Sequence, residues 1–151
     1  MGTGGFAFVA ILLIVILGWM AVGLVSSRMT GWALLAQRYR WDERFFGEHL
    51  RFRSAAMRYG SHYGNCLTIG VNAQGLFLSL SIPFFPDHPP LFIPWNEMTV
   101  SRTRVLWANC LELQLGRDPA IPFRIGERLA AKLAVLAGEV WPKESPHEGS
   151  V

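Results

Sequence analysis

The sequence predicts an N-terminal transmembrane helix followed by an α+β domain, an antiparallel curved sheet or partly open barrel capped by a C-terminal amphipathic helix. Three observations carry that prediction. The first 27 residues hold no charged side chain. Short segments of alternating apolar and polar residues, divided by Gly, Pro and Asn, fill the middle of the chain. An apolar stripe at helical spacing then runs up to Pro142. At 151 residues the chain suits one domain plus an anchor. The expected divisions are 1–27 as the anchor, 28–44 as a juxtamembrane amphipathic helix and linker, 45–141 as the β domain with its helix, and 142–151 as a polar tail expected to be disordered.

Residues 5–25 read GFAFVAILLIVILGWMAVGLV, 21 residues without charge. At 1.5 Å per residue they span about 31 Å, the thickness of a hydrocarbon core. A cleaved signal peptide competes with this reading, with Ala21 and Gly23 as a small-residue cleavage site. Against it, no Lys or Arg precedes the run, and the run exceeds an ordinary signal core. An uncleaved anchor is the expectation.

Thr30 is placed as an N-cap, and Trp32, Leu35, Ala36 and Tyr39 follow at helical spacing. Two readings stay open for residues 30–40: an amphipathic helix at head-group level, or an ordinary helix packed on the domain. Residues 48–56 alternate as a strand, with Leu50, Phe52 and Ser54 on one face and His49, Arg51 and Arg53 on the other. Residues 60–65 read as a turn. Leu67, Ile69 and Val71 then pair through the loop Asn72-Ala73-Gln74-Gly75 with Leu76, Leu78 and Leu80, a hairpin.

The connection 83–90 (PFFPDHPP) leads to a short extended piece at 91–94, whose prolines suit an edge. Trp95, Asn96 and Glu97 turn the chain into a strand at 98–106. Leu111, Leu113 and Leu115 alternate in the next strand, residues 116–119 (GRDP) turn, and 120–124 form a last strand. Ile125, Leu129, Leu133, Leu136 and Val140 then recur every three to four residues, an amphipathic helix that Pro142 ends.

Charge is unevenly placed. Residues 28–60 hold seven arginines against Asp42, Glu43 and Glu48, whereas 61–151 hold seven basic and eight acidic residues. A basic surplus beside the apolar run fits the positive-inside rule and anionic head groups, and it lacks the wide basic face of a nucleic-acid binder. With Arg28, Arg38 and Arg40 close to the helix, the expected orientation is N-terminus outside and domain in the cytoplasm.

The candidate lipid or partner surface is Arg38, Arg40, Arg51, Arg53, Arg102, Arg104 and Trp95. The four strand arginines form one basic face if their strands are neighbours. Each candidate has a plainer reading: solvated strand faces are commonly charged, and Trp95 serves equally as a core plug. Asp87–His88 is a possible acid–base pair and Tyr59, His62 and Tyr63 a polar-aromatic cluster; a solvated loop and a turn with exposed rings explain them as well. Cys66 and Cys110 have no zinc spacing and read as free thiols. No dinucleotide, P-loop, nucleophile-elbow, zinc-protease or EF-hand motif occurs. No catalytic, cofactor or metal residue is therefore assigned.

Roughly seven antiparallel strands before one amphipathic helix resemble the element order of a pleckstrin-homology-like barrel. Residues 75–100 (GLFLSLSIPFFPDHPPLFIPWNEMTV) resemble a passage of bacterial PH-like and GRAM-like domains. GWALLAQRY at 31–39 and HPPLFIPW further on are similar to small uncharacterised bacterial membrane-anchored proteins. The likeness covers residues 45–141. It implies binding or scaffolding at a bacterial inner membrane rather than chemistry. The loop at 72–75 departs from the phosphoinositide-binding pattern, since it holds no basic residue. The expected function is a non-enzymatic, membrane-tethered module that meets a protein partner or anionic lipid head groups, or serves as an accessory subunit of a membrane complex. The alternatives are an envelope enzyme with its site near His62 or His88, and a small-ligand or lipid-binding barrel.

Overall fold

A computed structural model describes residues 2–58, 61–81, 87–105, 107–117 and 120–145. Tyr59, residues 82–86 of the proline-rich connection, Leu106, residues 118–119 of the GRDP turn and residues 146–151 of the tail lie outside the described residues.

Helix α1 covers Thr3–Thr30. Its mean hydropathy of 2.9 over an 18-residue window makes it apolar and long enough to cross a membrane. At 1.5 Å per residue its 28 residues reach about 42 Å, about 12 Å beyond the hydrocarbon thickness. In its last turns Gly23, Ser27 and Thr30 are buried, while the large apolar side chains before them are exposed.

Gly31 ends α1 in the left-handed region, at φ 89, and starts α2 (Trp32–Tyr39). A Cβ there would lie 2.8 Å from the Ile121 side chain, so glycine permits both the turn and the close approach. Of the two readings open for this helix, the structure decides for packing on the domain: Trp32 is fully buried and Leu35 nearly so. Thr30 is the last residue of α1 and Gly31 takes the N-cap position of α2, while the Thr30 hydroxyl still accepts from the Trp32 N–H at 3.4 Å.

The strands are β1 (Glu48–Ala56), β2 (His62–Val71), β3 (Gly75–Leu80), β4 (Leu91–Pro94), β5 (Met98–Val105), β6 (Ala108–Leu115) and β7 (Ile121–Gly126). They form one antiparallel sheet in the order β4-β3-β2-β1-β7-β6-β5, curled into a half-barrel. Two meanders, β1 to β4 and β5 to β7, join where Ala56 pairs with Arg124. The inner face carries the alternating apolar residues, Leu67 and Ile69 of β2, Leu76 and Leu78 of β3, and Leu113 and Phe123 of β6 and β7, all fully buried. Trp32 and Leu35 enter this core from α2, and Ala130 and Leu133 from α3 (Glu127–Ala137).

Four departures from the sequence reading have local causes. The turn expected at 60–65 is shorter, since β2 begins at His62 with an irregularity near Asn65, at φ 50. In β1 a bulge at Phe52, at φ 55, shifts the register between Leu50 and Arg53. Phe52 is consequently 63% exposed instead of sharing the Leu50 face. The last helix stops at Ala137, where Gly138 takes φ 63 and a 3-10 turn (Gly138–Val140) follows, so Leu136 and Val140 are exposed and the buried stripe is shorter than expected. Residues 144–145 of the tail lie against β5 instead of projecting from the domain. Glu144 bridges Val100, drawn there by the Arg102 guanidinium.

Candidate functional site

The densest set of buried polar contacts lies where α1 enters the domain. The β1–β2 connection comes to this point, and so does the segment before β4. Arg58 donates to the carbonyls of Arg28 at 2.6 Å and Met29 at 3.2 Å. Those carbonyls belong to the last turn of α1 and have no helical donor beyond it, so the guanidinium both satisfies them and opposes the negative end of the helix dipole. Thr30, buried, shares a hydrogen bond with the Tyr63 hydroxyl at 2.9 Å, and that hydroxyl shares another with His88 Nε2 at 2.8 Å. The Trp32 indole N–H donates to the Pro89 carbonyl at 2.9 Å, and its ring lies 5.3 Å from the His88 ring and 5.8 Å from that of Tyr63.

This cluster holds three segments together: the end of α1, the start of β2, and the segment before β4. Its chemistry is that of a latch. The Tyr63 hydroxyl stands between two polar neighbours, Thr30 and His88. Burial pushes its ionisation above the usual 10.0, with the Thr30 and Ser26 hydrogen bonds acting the other way, so it stays a neutral donor and acceptor.

The structure separates the histidine candidates. His88 is buried within the latch, whereas His62 is exposed on the other side of β2 from Tyr63. Asp87 is exposed while its neighbour His88 is buried, so they do not form a pair in one site. Cys66 and Cys110 are free and half-buried; burial pushes the Cys66 thiol up. Their strands, β2 and β6, are separated in the sheet by β1 and β7.

The seven expected surface residues fall in five places. Arg38 and Arg40 border a groove of about 660 Å³ with Trp41, Phe92, Glu97 and Arg117. There Arg38 donates to the Arg117 carbonyl at 2.5 Å, and Tyr39 donates to Glu97 at 3.2 Å. Burial, then the Glu97 charge, raises the Tyr39 ionisation. Arg51 borders a second groove of about 430 Å³ on the outer face, beside Phe52, Thr68 and Ser79. Arg53, past the bulge, stands opposite Leu67 and is partly buried, so β1 does not present its two arginines together. Arg102 and Arg104 lie on β5, with β7 and β6 between them and β1; the four strand arginines are not on neighbouring strands. Trp95 donates to the Asn72 carbonyl at 2.9 Å and meets Trp141 edge-on at 5.8 Å, packed against the core.

The sequence reading did not single out Thr30 or Arg58 for these roles. A partial signal existed for Tyr63: the inward phase of Leu67 and Ile69, carried back four residues, reaches it. An aromatic row was also missed. Trp41 lies 4.9 Å from Phe92, and Phe45 lies 6.3 Å from Phe92 and stacks on Phe77 at 4.6 Å. Gly70 makes room for the Phe45 ring, which a Cβ there would overlap.

Comparison with protein-family models returns no match to this sequence, and comparison with curated proteins returns none either.

Proposed function

We infer that this chain is a non-enzymatic, membrane-tethered binding module, its domain of PH-like form and held at the cytoplasmic face of a bacterial inner membrane. One observation carries the reading: the last turn of α1 is built into the domain through Arg58, Thr30, Tyr63 and His88 rather than joined to it by a loose linker. A rigid mount fixes which surfaces of the domain face the bilayer and which face away. The PH-like form draws support from the strand order and from a helix placed after the last strand. The cytoplasmic side draws support from Arg28, Arg38 and Arg40, which follow the apolar run closely. Tethering raises the effective concentration of the domain near the bilayer, so a weak contact with a protein partner or anionic head groups suffices.

The test is topology. Reporters active on one side of a membrane are fused after Val151 in the full chain. Activity of the cytoplasmic reporter alone is expected. Activity of the reporter that works only across the membrane would overturn the orientation and move the partner search to the envelope.

A further inference from the structure

The sheet ends at β4 and β5, and an open sheet edge is a template for another strand. Both edges carry a short cover from this chain. On β4 the cover is built in. Arg40 bridges Leu91, the Trp41 N–H donates to the Pro90 carbonyl at 2.8 Å, and the Trp41 ring packs on Phe92. On β5 the cover is slight. Glu144 bridges Val100 in the parallel sense, the Ser145 N–H donates to the Val100 carbonyl at 2.7 Å, and the Glu144 carboxylate meets Arg102 at 2.7 Å. Glu144 and Ser145 are exposed. A short backbone bridge and a solvated ion pair hold a segment weakly, because water and salt compete for both.

We propose that the β5 edge is a docking edge for an extended acidic segment of a protein partner, added as a parallel strand in place of residues 143–145. The chain's own Glu144 and Ser145 display the register and the charge of such a segment. Arg102 and Arg104 follow one another on one face of β5, so carboxylates two residues apart on the incoming strand meet both. The tail offers only the first of these, because position 146 is proline. Arg102 also has Glu127 at 3.6 Å, whereas Arg104 has no carboxylate within ion-pair distance among the described residues. A row of backbone donors and acceptors favours a peptide over a bilayer, since head groups cannot form a strand ladder. The proposal rests on the reading of a tethered binding module and names the partner that the module takes.

The experiment uses the full chain in detergent, so membrane topology does not enter it. A fluorescein-labelled peptide with the sequence of residues 141–148 carrying Pro146→Glu is titrated with wild type, Glu144→Ala, and the Arg102→Glu/Arg104→Glu variant. Glu144→Ala is expected to bind about tenfold more tightly than wild type, a difference of about 1.4 kcal/mol. The charge-reversed variant is expected to lose binding, and the peptide to slow amide exchange at Arg102 and Arg104. Equal affinity for wild type and Glu144→Ala, or retained binding to the reversed variant, overturns the proposal. It also fails if the peptide does not bind while vesicles with one quarter phosphatidylglycerol bind in an Arg102- and Arg104-dependent way; the patch is then a lipid contact.

Discussion

Two tryptophans mark the two ends of the half-barrel. At the end where α1 docks, Trp32 is fully buried, hydrogen-bonded to the Pro89 carbonyl and packed against Tyr63 and His88. At the far end, Trp107 in the β5–β6 connection is 84% exposed. The first end also gathers the Arg58 contacts to α1 and the Gly31–Ile121 approach. The second gathers Arg104, which pairs with Asn109 beside that connection. Apolar area and hydrogen-bonded polar groups are concentrated where the domain meets α1, and aromatic and charged surface is left uncovered at the opposite end. One end holds and the other is free to meet something else.

Breaking the holding end has the largest expected effect. Trp32→Ala removes a fully buried aromatic from the core and leaves the Pro89 carbonyl without its donor. Its cost is about 3–5 kcal/mol, read as a lower midpoint in urea unfolding of the detergent-solubilised chain. A loss under about 1 kcal/mol would mean that α2 is an appendage, as in the head-group reading, and the contrast between the two ends would collapse.

Tyr63→Phe tests the latch with less damage. It keeps the ring and deletes the hydroxyl that links Thr30 to His88, at a cost of about 1–3 kcal/mol at neutral pH. The sign with pH follows from the raised ionisation of Tyr63. The neutral hydroxyl is favoured in the fold, so its contribution is complete below the unfolded value of 10.0 and is lost as pH rises through the folded value. Wild-type stability is expected to fall above about pH 10, and Tyr63→Phe to fall less steeply. Some alkaline loss remains in the variant, because burial raises Cys66 and Tyr39 as well. Identical alkaline slopes for the two proteins would remove the hydroxyl from the latch.

Much of this fold was legible as periodicity. The β2–β3 hairpin pairs Ile69 with Leu78 and Val71 with Leu76, the faces that alternation predicts. The sheet order was not legible, since the single close pairing of β1 with β7 joins residues 68 positions apart, Ala56 and Arg124. Alternation also cannot register a bulge, so Phe52 was put on the wrong face and Arg53 grouped with Arg51. Helix α2 shows why pattern alone left two readings open: Trp, Leu and Tyr at helical spacing suit a bilayer surface and a core equally, and only the presence of Ile121 and Tyr63 beside it decides. The latch was hidden for a similar reason. Thr30, Arg58, Tyr63 and His88 are unremarkable one at a time, and their link is made in three dimensions between distant segments.

The smallest effect is expected at the free end. Trp107→Ser removes an indole that is mostly in water already, so burial is hardly changed and the unfolding free energy should stay within about 0.5 kcal/mol of wild type. The substitution is informative because the side chain is large. Both substitutions remove an indole, so the difference between Trp32→Ala and Trp107→Ser reports chiefly what the surroundings of that indole contribute. Exposed aromatic rings beside arginines are common at protein contacts. A neutral stability effect joined to loss of a cross-linked partner from intact cells would therefore assign Trp107 to a contact surface. A midpoint lowered as far as by Trp32→Ala would show that the β5–β6 connection is packed after all, and the distinction between a holding end and a free end would not stand.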